Sequence, residues 1–291
     1  MIQKRNILFV LFLCGLTIFG ASAERHKKIG LVLSGGGALG YAHIGAIQAL
    51  EEHDIYPEYI AGTSMGAIIG ALYADGIKPA EMLKLIQDRK MDKTIGLIDS
   101  YKGFADLGLS THDAVKTLFS ELMPHNNFDS LKLHYYTCVT NLDEGIYKIV
   151  GHGDNLKEYV AASASIPGVF SVEVIDGVQY VDGGVLNNIP SQAIRNKCDI
   201  LIGVDVVPYI PKLELKNIRD VLTRTVRAAQ HQNSINGRKM CDYLVESDAI
   251  RNYNGGQFNK YLEIYQYGYK TMMDYIKAHP EMVATCKRDK K

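Results

Sequence analysis

Apolar positions along this chain fall into two patterns that alternate. Short continuous runs at residues 28–33, 59–61 and 200–206 read as buried strands, because strands covered on both faces carry no polar alternation. The first two runs each lead through a glycine-bearing turn into helical spacing. Residues 42–52 place Ile44, Ile47, Ala49 and Leu50 at such intervals, and residues 67–73 continue as an apolar helix ending at Gly76. Two strand–turn–helix units in succession predict a parallel sheet with crossover helices. Pro79 opens another amphipathic helix over 80–89, and 111–122 reads as helix. Residues 134–140 and 146–150 look like paired strands around 141–145. A short helix over 155–163 is closed by Ile166-Pro167-Gly168, and 172–175 with 179–181 form a hairpin across Asp176-Gly177. The C-terminal third reads as helical, over 217–240 and 259–278. Its last helix carries Tyr261, Tyr265, Tyr267, Tyr269 and Tyr275, which pack on the domain or, alternatively, touch a membrane. Residues 91–110, with Gly96, Gly103 and Gly108, are irregular and read either as a lid or as a surface connection.

Composition narrows the class. The 291 residues are 47% hydrophobic and 22% charged, an ordinary globular balance with enough chain for one large domain. Lys+Arg and Asp+Glu are both 32, which argues against electrostatic capture of nucleic acid. Residues 1–23 have the pattern of a secretory signal: basic Lys4 and Arg5, an apolar run over 7–19, and Ala21-Ser22-Ala23 as a cleavage site. The run is shorter than the roughly 20 residues a spanning helix needs. An uncleaved N-terminal anchor is the alternative. The reading therefore expects an exported chain beginning near Glu24, with a single domain over 24–291, and leaves periplasmic, outer-membrane and secreted fates open. Leu13 before Cys14 does not fit a lipidation site. Cys138, Cys198, Cys241 and Cys286 match no zinc-ligand spacing, and the apolar settings of Cys138 and Cys198 read as buried thiols.

Three glycine-framed segments carry the chemistry. In Ser34-Gly35-Gly36-Gly37-Ala38-Leu39-Gly40, the pattern G-x-G-x-x-G lies between a strand and a helix, as in dinucleotide-binding folds. That use requires an acidic residue at the end of the second strand, and this chain has Gly62-Thr63-Ser64 there. The other use is an oxyanion hole, in which backbone N–H groups of the glycine loop approach a ligand unobstructed beside a helix N-terminus. Gly62-Thr63-Ser64-Met65-Gly66 is a G-x-S-x-G segment between strand and helix, a context that exposes its serine on a sharp elbow. Asp182 ends a strand and precedes Gly183-Gly184, which reads as a plain turn or as a carboxylate brought close to another segment. His231 and His279 have no loop context for a catalytic base, and His43 is a packed or capping residue beside the glycine loop.

Together these segments, in this order, resemble the patatin-like phospholipase family. The likeness extends to His43-Ile44-Gly45, Ser165-Ile166-Pro167 and Asn187-Asn188-Ile189-Pro190, and covers about residues 28–208. The resemblance implies a three-layer α/β/α fold with a mostly parallel central sheet and a helical part over 209–291. It implies Ser64 as nucleophile on a strand-to-helix elbow, Asp182 as general base, and the backbone of Gly35, Gly36 and Gly37 as oxyanion hole. Gly40, Gly62, Gly66, Gly183 and Gly184 are its motif glycines. No metal or organic cofactor is implied. The expected substrate is a lipid or membrane-surface acyl ester. A small-substrate carboxylesterase or thioesterase, and a silent lipid-binding protein on the same fold, are the alternatives. One departure is Leu39, where many relatives carry Arg or Lys, so no cation for anionic headgroups comes from that position.

Overall fold

The computed structural model describes residues 26–88, 113–207, 214–246 and 249–287. The expected signal at 1–23 and the irregular stretch 91–110 lie outside them. The described strands are β1 (Ile29–Leu33), β2 (Tyr59–Thr63), β3 (His134–Asn141), β4 (Ile146–Val150), β5 (Glu173–Ile175), β6 (Val178–Asp182), β7 (Ile200–Asp205) and β8 (Tyr243–Glu246). They form one sheet connected in the order β5-β6-β3-β2-β1-β7-β8, with β4 also on β3. β3, β2, β1, β7 and β8 are mutually parallel, and β4, β5 and β6 add antiparallel pairs. β1 and β7 are buried along their whole length, as their unbroken apolar runs require of central parallel strands.

The described helices are α1 (Tyr41–Glu52), α2 (Met65–Asp75), α3 (Pro79–Gln87), α4 (Asp113–Leu122), α5 (Leu156–Ser163), α6 (Ile218–Lys239), α7 (Tyr261–Ala278) and α8 (Pro280–Cys286). Alternate strand residues face two cores. Ile29, Leu31, Leu33, Ile200 and Ile202 point to the larger one, under α1, α2 and α7. Val32, Ala61, Tyr136 and Leu201 point to a smaller one, closed by Ile189, Ile194 and Cys198. The tyrosine-rich helix α7 packs on α1. A Cβ on Gly45 would stand 2.2 Å from the Tyr265 carbonyl, and one on Gly268 would stand 2.0 Å from the Ala42 carbonyl. The two backbones therefore meet where only glycine fits. Tyr269 also donates its hydroxyl to Glu52 at 2.6 Å, so the tyrosines serve the domain interior and its rim.

The hairpin across Asp176-Gly177 forms as expected, with φ of 52° and 82° at the two turn residues. The C-terminal third departs from the all-helical expectation. β8 adds a parallel strand beside β7, and Pro280 starts a further helix, α8. β8 escapes detection because it has four residues, only one of them buried, so no run or alternation marks it. Cys138, Cys198 and Cys286 are buried free thiols.

Candidate active site

The sheet register brings the second and third motifs together. In β3, Thr137 and Cys138 pair with both β2 and β4, and Val139 to Asn141 pair with both β4 and β6. A strand has two edges, so β2 and β6 share one of them. Thr63 pairs with Cys138, and Asp182 pairs with the next residue, Val139. β2 thus ends where antiparallel β6 ends, facing it. Ser64 leaves one strand and Asp182 the other at the same point of β3.

Ser64 sits at φ 56° and ψ −126°, a region that costs a non-glycine residue about 1–3 kcal/mol. Its neighbours make that conformation reachable. A Cβ on Gly62 would lie 2.4 Å from the Gly66 carbonyl, and one on Gly66 would lie 2.5 Å from the carbonyls of Leu33 and Ser34. The elbow is then held by hydrogen bonds. Ser64 N–H donates to Ser163 Oγ at 2.9 Å, and Ser163 Oγ donates to the Cys138 carbonyl at 2.7 Å. Thr63 Oγ1 donates to the Asn187 carbonyl at 3.1 Å.

Asp182 is 5% exposed. Its N–H donates to the Ser165 carbonyl at 2.9 Å, and its own carbonyl accepts from Thr140 Oγ1 at 2.9 Å. Gly184 N–H donates to its carboxylate at 2.7 Å, and the Ser64 hydroxyl faces the same carboxylate. Burial pushes the Asp182 carboxyl up to about 6, against the opposing pull of Gly184 N–H and the Ser64 hydroxyl. A carboxylate of that affinity is a better proton acceptor than an exposed one and is still mostly ionised at pH 7.

The glycine loop lies across the elbow from β1. A Cβ on Gly40 would stand 2.2 Å from Met65 Cγ, and one on Gly35 would stand 3.1 Å from Ser64 Cβ. The three glycines differ in what their amides can do. Gly35 N–H is already donated to the Asn188 carbonyl at 3.2 Å, which corrects its expected part as an oxyanion donor. Gly36 and Gly37 N–H have no backbone acceptor among the described residues. His43 is fully buried, and its Nε2–H donates to the Ser34 carbonyl at 2.8 Å. Burial holds its ring down to about 4, so it is neutral at pH 7 and positions the loop from below. His279 Nδ1 bonds the Tyr275 carbonyl at 2.9 Å, and its ring stacks on Tyr275, a structural setting. Leu39 is buried in the larger core, so the position that differs from the family pattern is an interior one here.

Three contributors escape sequence reading. Ser163 anchors the elbow. The segment 254–256 supports the glycine loop, with Ala38 N–H donating to the Gly255 carbonyl at 2.9 Å. Asn233 of α6 joins the acid turn to the loop. Its Nδ2 donates to the carbonyls of Gly184 and Val185 at 3.0 and 3.1 Å, and its Oδ1 accepts Asn188 N–H at 3.0 Å. No local pattern marks any of them, since each acts through contacts distant in sequence.

The profile of the patatin-like phospholipases matches residues 31–193, more than half of the chain. The chain belongs to that family. Ser64, Asp182 and the glycine loop all fall inside the matched segment of this patatin-like phospholipase, whereas Asn233 and Gly255 lie beyond it. Lysophospholipase NTE1 of Kluyveromyces lactis is 27% identical over 282 residues, which cover 86% of this chain and 19% of that protein. Patatin-like phospholipase domain-containing protein 6 of Homo sapiens is 24% identical over 305 residues, covering 86% of this chain and 22% of its own length. The chain therefore spans about a fifth of these relatives. Among solved structures, VipD from Legionella pneumophila aligns with a TM-score of 0.47 at 14% identity, covering 87% of this chain and 67% of that one.

Proposed function

We propose that this patatin-like phospholipase is a serine acyl hydrolase that cleaves fatty-acyl esters of phospholipids or lysophospholipids. One observation carries the reading. The Ser64 side chain faces a buried carboxylate raised to about 6, on an elbow whose backbone is strained into place. In this reading Asp182 accepts the proton as Ser64 Oγ attacks the ester carbonyl. The carbonyl oxygen becomes negative and takes hydrogen bonds from Gly36 and Gly37 N–H, at the positive end of the following helix. The tetrahedral adduct collapses, Asp182 returns its proton to the leaving alcohol, and acyl-Ser64 remains. Water then gives a proton to Asp182 as its oxygen attacks the acyl carbonyl; the adduct collapses, Asp182 passes that proton to the departing Ser64 Oγ, and the fatty acid is released. The names of the relatives favour a lipid ester over a small soluble one, since the similarity includes a lysophospholipase.

A fluorophosphonate probe with peptide mass mapping tests the nucleophile, together with release of fatty acid from a lysophospholipid. The expected outcome is one modified residue, Ser64, and no fatty-acid release by Ser64→Ala. Labelling at another serine with Ser64→Ala still active would overturn the reading.

A further inference from the structure

Asn188 stands between the glycine loop and the acid turn. A Cβ on Gly35 would lie 2.6 Å from its Oδ1 and 3.1 Å from Ser64 Cβ, so one place on the loop touches both the amide oxygen and the nucleophile. A Cβ on Gly184 would lie 2.8 Å from the same Oδ1, 3.0 Å from Asp182 Oδ1 and 3.1 Å from Gln230 Nε2. Three polar atoms thus gather around one point of the acid turn, at a spacing that a single water molecule bridges.

The main chain of Asn188 is held on both sides. Its N–H donates to Asn233 Oδ1 at 3.0 Å, and its carbonyl accepts Gly35 N–H at 3.2 Å. Its Nδ2 donates to the Gly35 carbonyl at 3.5 Å, which leaves the oxygen end of the amide toward the acid turn. That oxygen is buried and accepts no hydrogen bond from the described residues. A buried acceptor without a donor destabilises a fold, so one kept beside nucleophile and base calls for a partner that arrives with the reaction.

The two half-reactions bring different oxygens to this place. In acylation the leaving oxygen carries carbon and takes one proton from Asp182, so it has no hydrogen for a second acceptor. In deacylation the attacking water has two. One goes to Asp182, and the other needs an acceptor if the lone pair is to face acyl-Ser64.

We propose that Asn188 Oδ1 orients the deacylating water by accepting its second hydrogen while Asp182 takes the first. The proposal rests on the acyl-hydrolase reading. The water oxygen bonds to the acyl carbon, its first proton passes to Asp182 and on to the departing Ser64 Oγ, and its second stays on the fatty acid as that forms. Gln230 Nε2 is the donor for the water's other lone pair.

Methanol separates this role from support of the fold. It has one O–H, which Asp182 takes, so Asn188 does nothing for methanolysis. Both nucleophiles attack the same acyl-Ser64, and the product ratio therefore cancels damage common to the elbow and the loop. The full chain is given p-nitrophenyl butyrate in aqueous methanol, and butyrate and methyl butyrate are measured. Asn188→Leu, which keeps the size and removes the acceptor, should raise methyl butyrate over butyrate about five-fold or more, the loss of one hydrogen bond to water. Acyl-Ser64 should build up in that variant, read by intact mass. Asn188→Ala, which removes the acceptor without adding bulk, should shift the ratio in the same direction and carries the test where Leu does not fold. A parent-like ratio in either folded variant, even with total turnover reduced, would overturn the proposal. No acyl-Ser64 in the parent would overturn the acyl-hydrolase reading itself, and this proposal with it.

Discussion

Replacing Asp182 with Asn should abolish turnover and stabilise the protein at neutral pH. The carboxylate is 5% exposed and raised from 3.8 to about 6, so the folded state holds its proton more tightly than the unfolded chain does. Below pH 3.8 both states are protonated and the group contributes no difference. Between 3.8 and about 6 the folded state binds more protons, and stability falls as pH rises. Above about 6 both states are ionised, and burying the charge costs about 3 kcal/mol, from two units at about 1.4 kcal/mol each. Asn keeps the shape. Its Oδ1 can accept Gly184 N–H as Asp182 now does at 2.7 Å, and its Nδ2 can donate to Ser64. It carries no charge at any pH.

Urea unfolding of parent and Asp182→Asn at pH 8, 6 and 4 checks this. The variant should be more stable by up to about 3 kcal/mol at pH 8, less so at pH 6, and within about 0.6 kcal/mol of the parent at pH 4. Comparison at each pH cancels His43, which works in the opposite direction because its folded value is lowered from 6.5 to about 4. Parent hydrolysis of a short-chain ester should rise with pH through about 6, following ionisation of Asp182. A stability difference that does not change with pH would refute the buried-charge argument. Loss of stability and activity together at every pH would make Asp182 a turn residue only.

Three further outcomes follow from the same geometry. Gly36→Ala would place a methyl 2.7 Å from Val206 Cγ2, pushing the loop aside, so acylation by a fluorophosphonate and ester hydrolysis should both fall by about 10²–10³, the value of one oxyanion donor. Asn233→Ala removes three bonds between α6, the acid turn and Asn188; kcat should fall with little change in KM, and unfolding should cost about 1–3 kcal/mol less, whereas an unchanged kcat would sink the positioning role. Ala at His231 or His279 should keep most hydrolysis of a short-chain ester, and a loss of about 10³ at either would restore a histidine base.

The parts of this fold that were legible are those whose reasons are local. β1, β2 and β7 are continuous apolar runs because both of their faces are covered. The hairpin turn shows itself because Asp176 and Gly177 tolerate positive φ. Ser64 shows itself because Gly62 and Gly66 are required on both sides of the elbow. What was hidden depends on distant contacts. Gly35 looks identical to Gly36 in sequence, and only the Asn188 carbonyl, 3.2 Å away, takes its amide out of the cradle. Asn233 sits in an ordinary polar helix, and its three partners lie 45 or more residues earlier. β8 is marked by its neighbour β7 rather than by its own four residues.

This division bears on how the site is kept in shape. The elbow at Ser64 holds about 1–3 kcal/mol of backbone strain. Hydrogen bonds through Ser163, at about 1 kcal/mol each, can offset it only if β2, β3 and α5 keep their places. β3 fixes two of the three motif segments by register, since Thr63 and Asp182 pair with consecutive residues of that strand. The glycine loop has no such tie to β3. It is held from β1, by His43 beneath it, by Gly255 beside it, and by Asn188, whose N–H is in turn fixed by Asn233. Ser64 and Asp182 are therefore set by the sheet, and the glycine loop by contacts outside it. Asn233 of α6 holds the acid turn through the carbonyls of Gly184 and Val185 and also holds Asn188, whose carbonyl accepts Gly35 N–H, so a displacement of α6 would loosen the Asp182 turn and the glycine loop together.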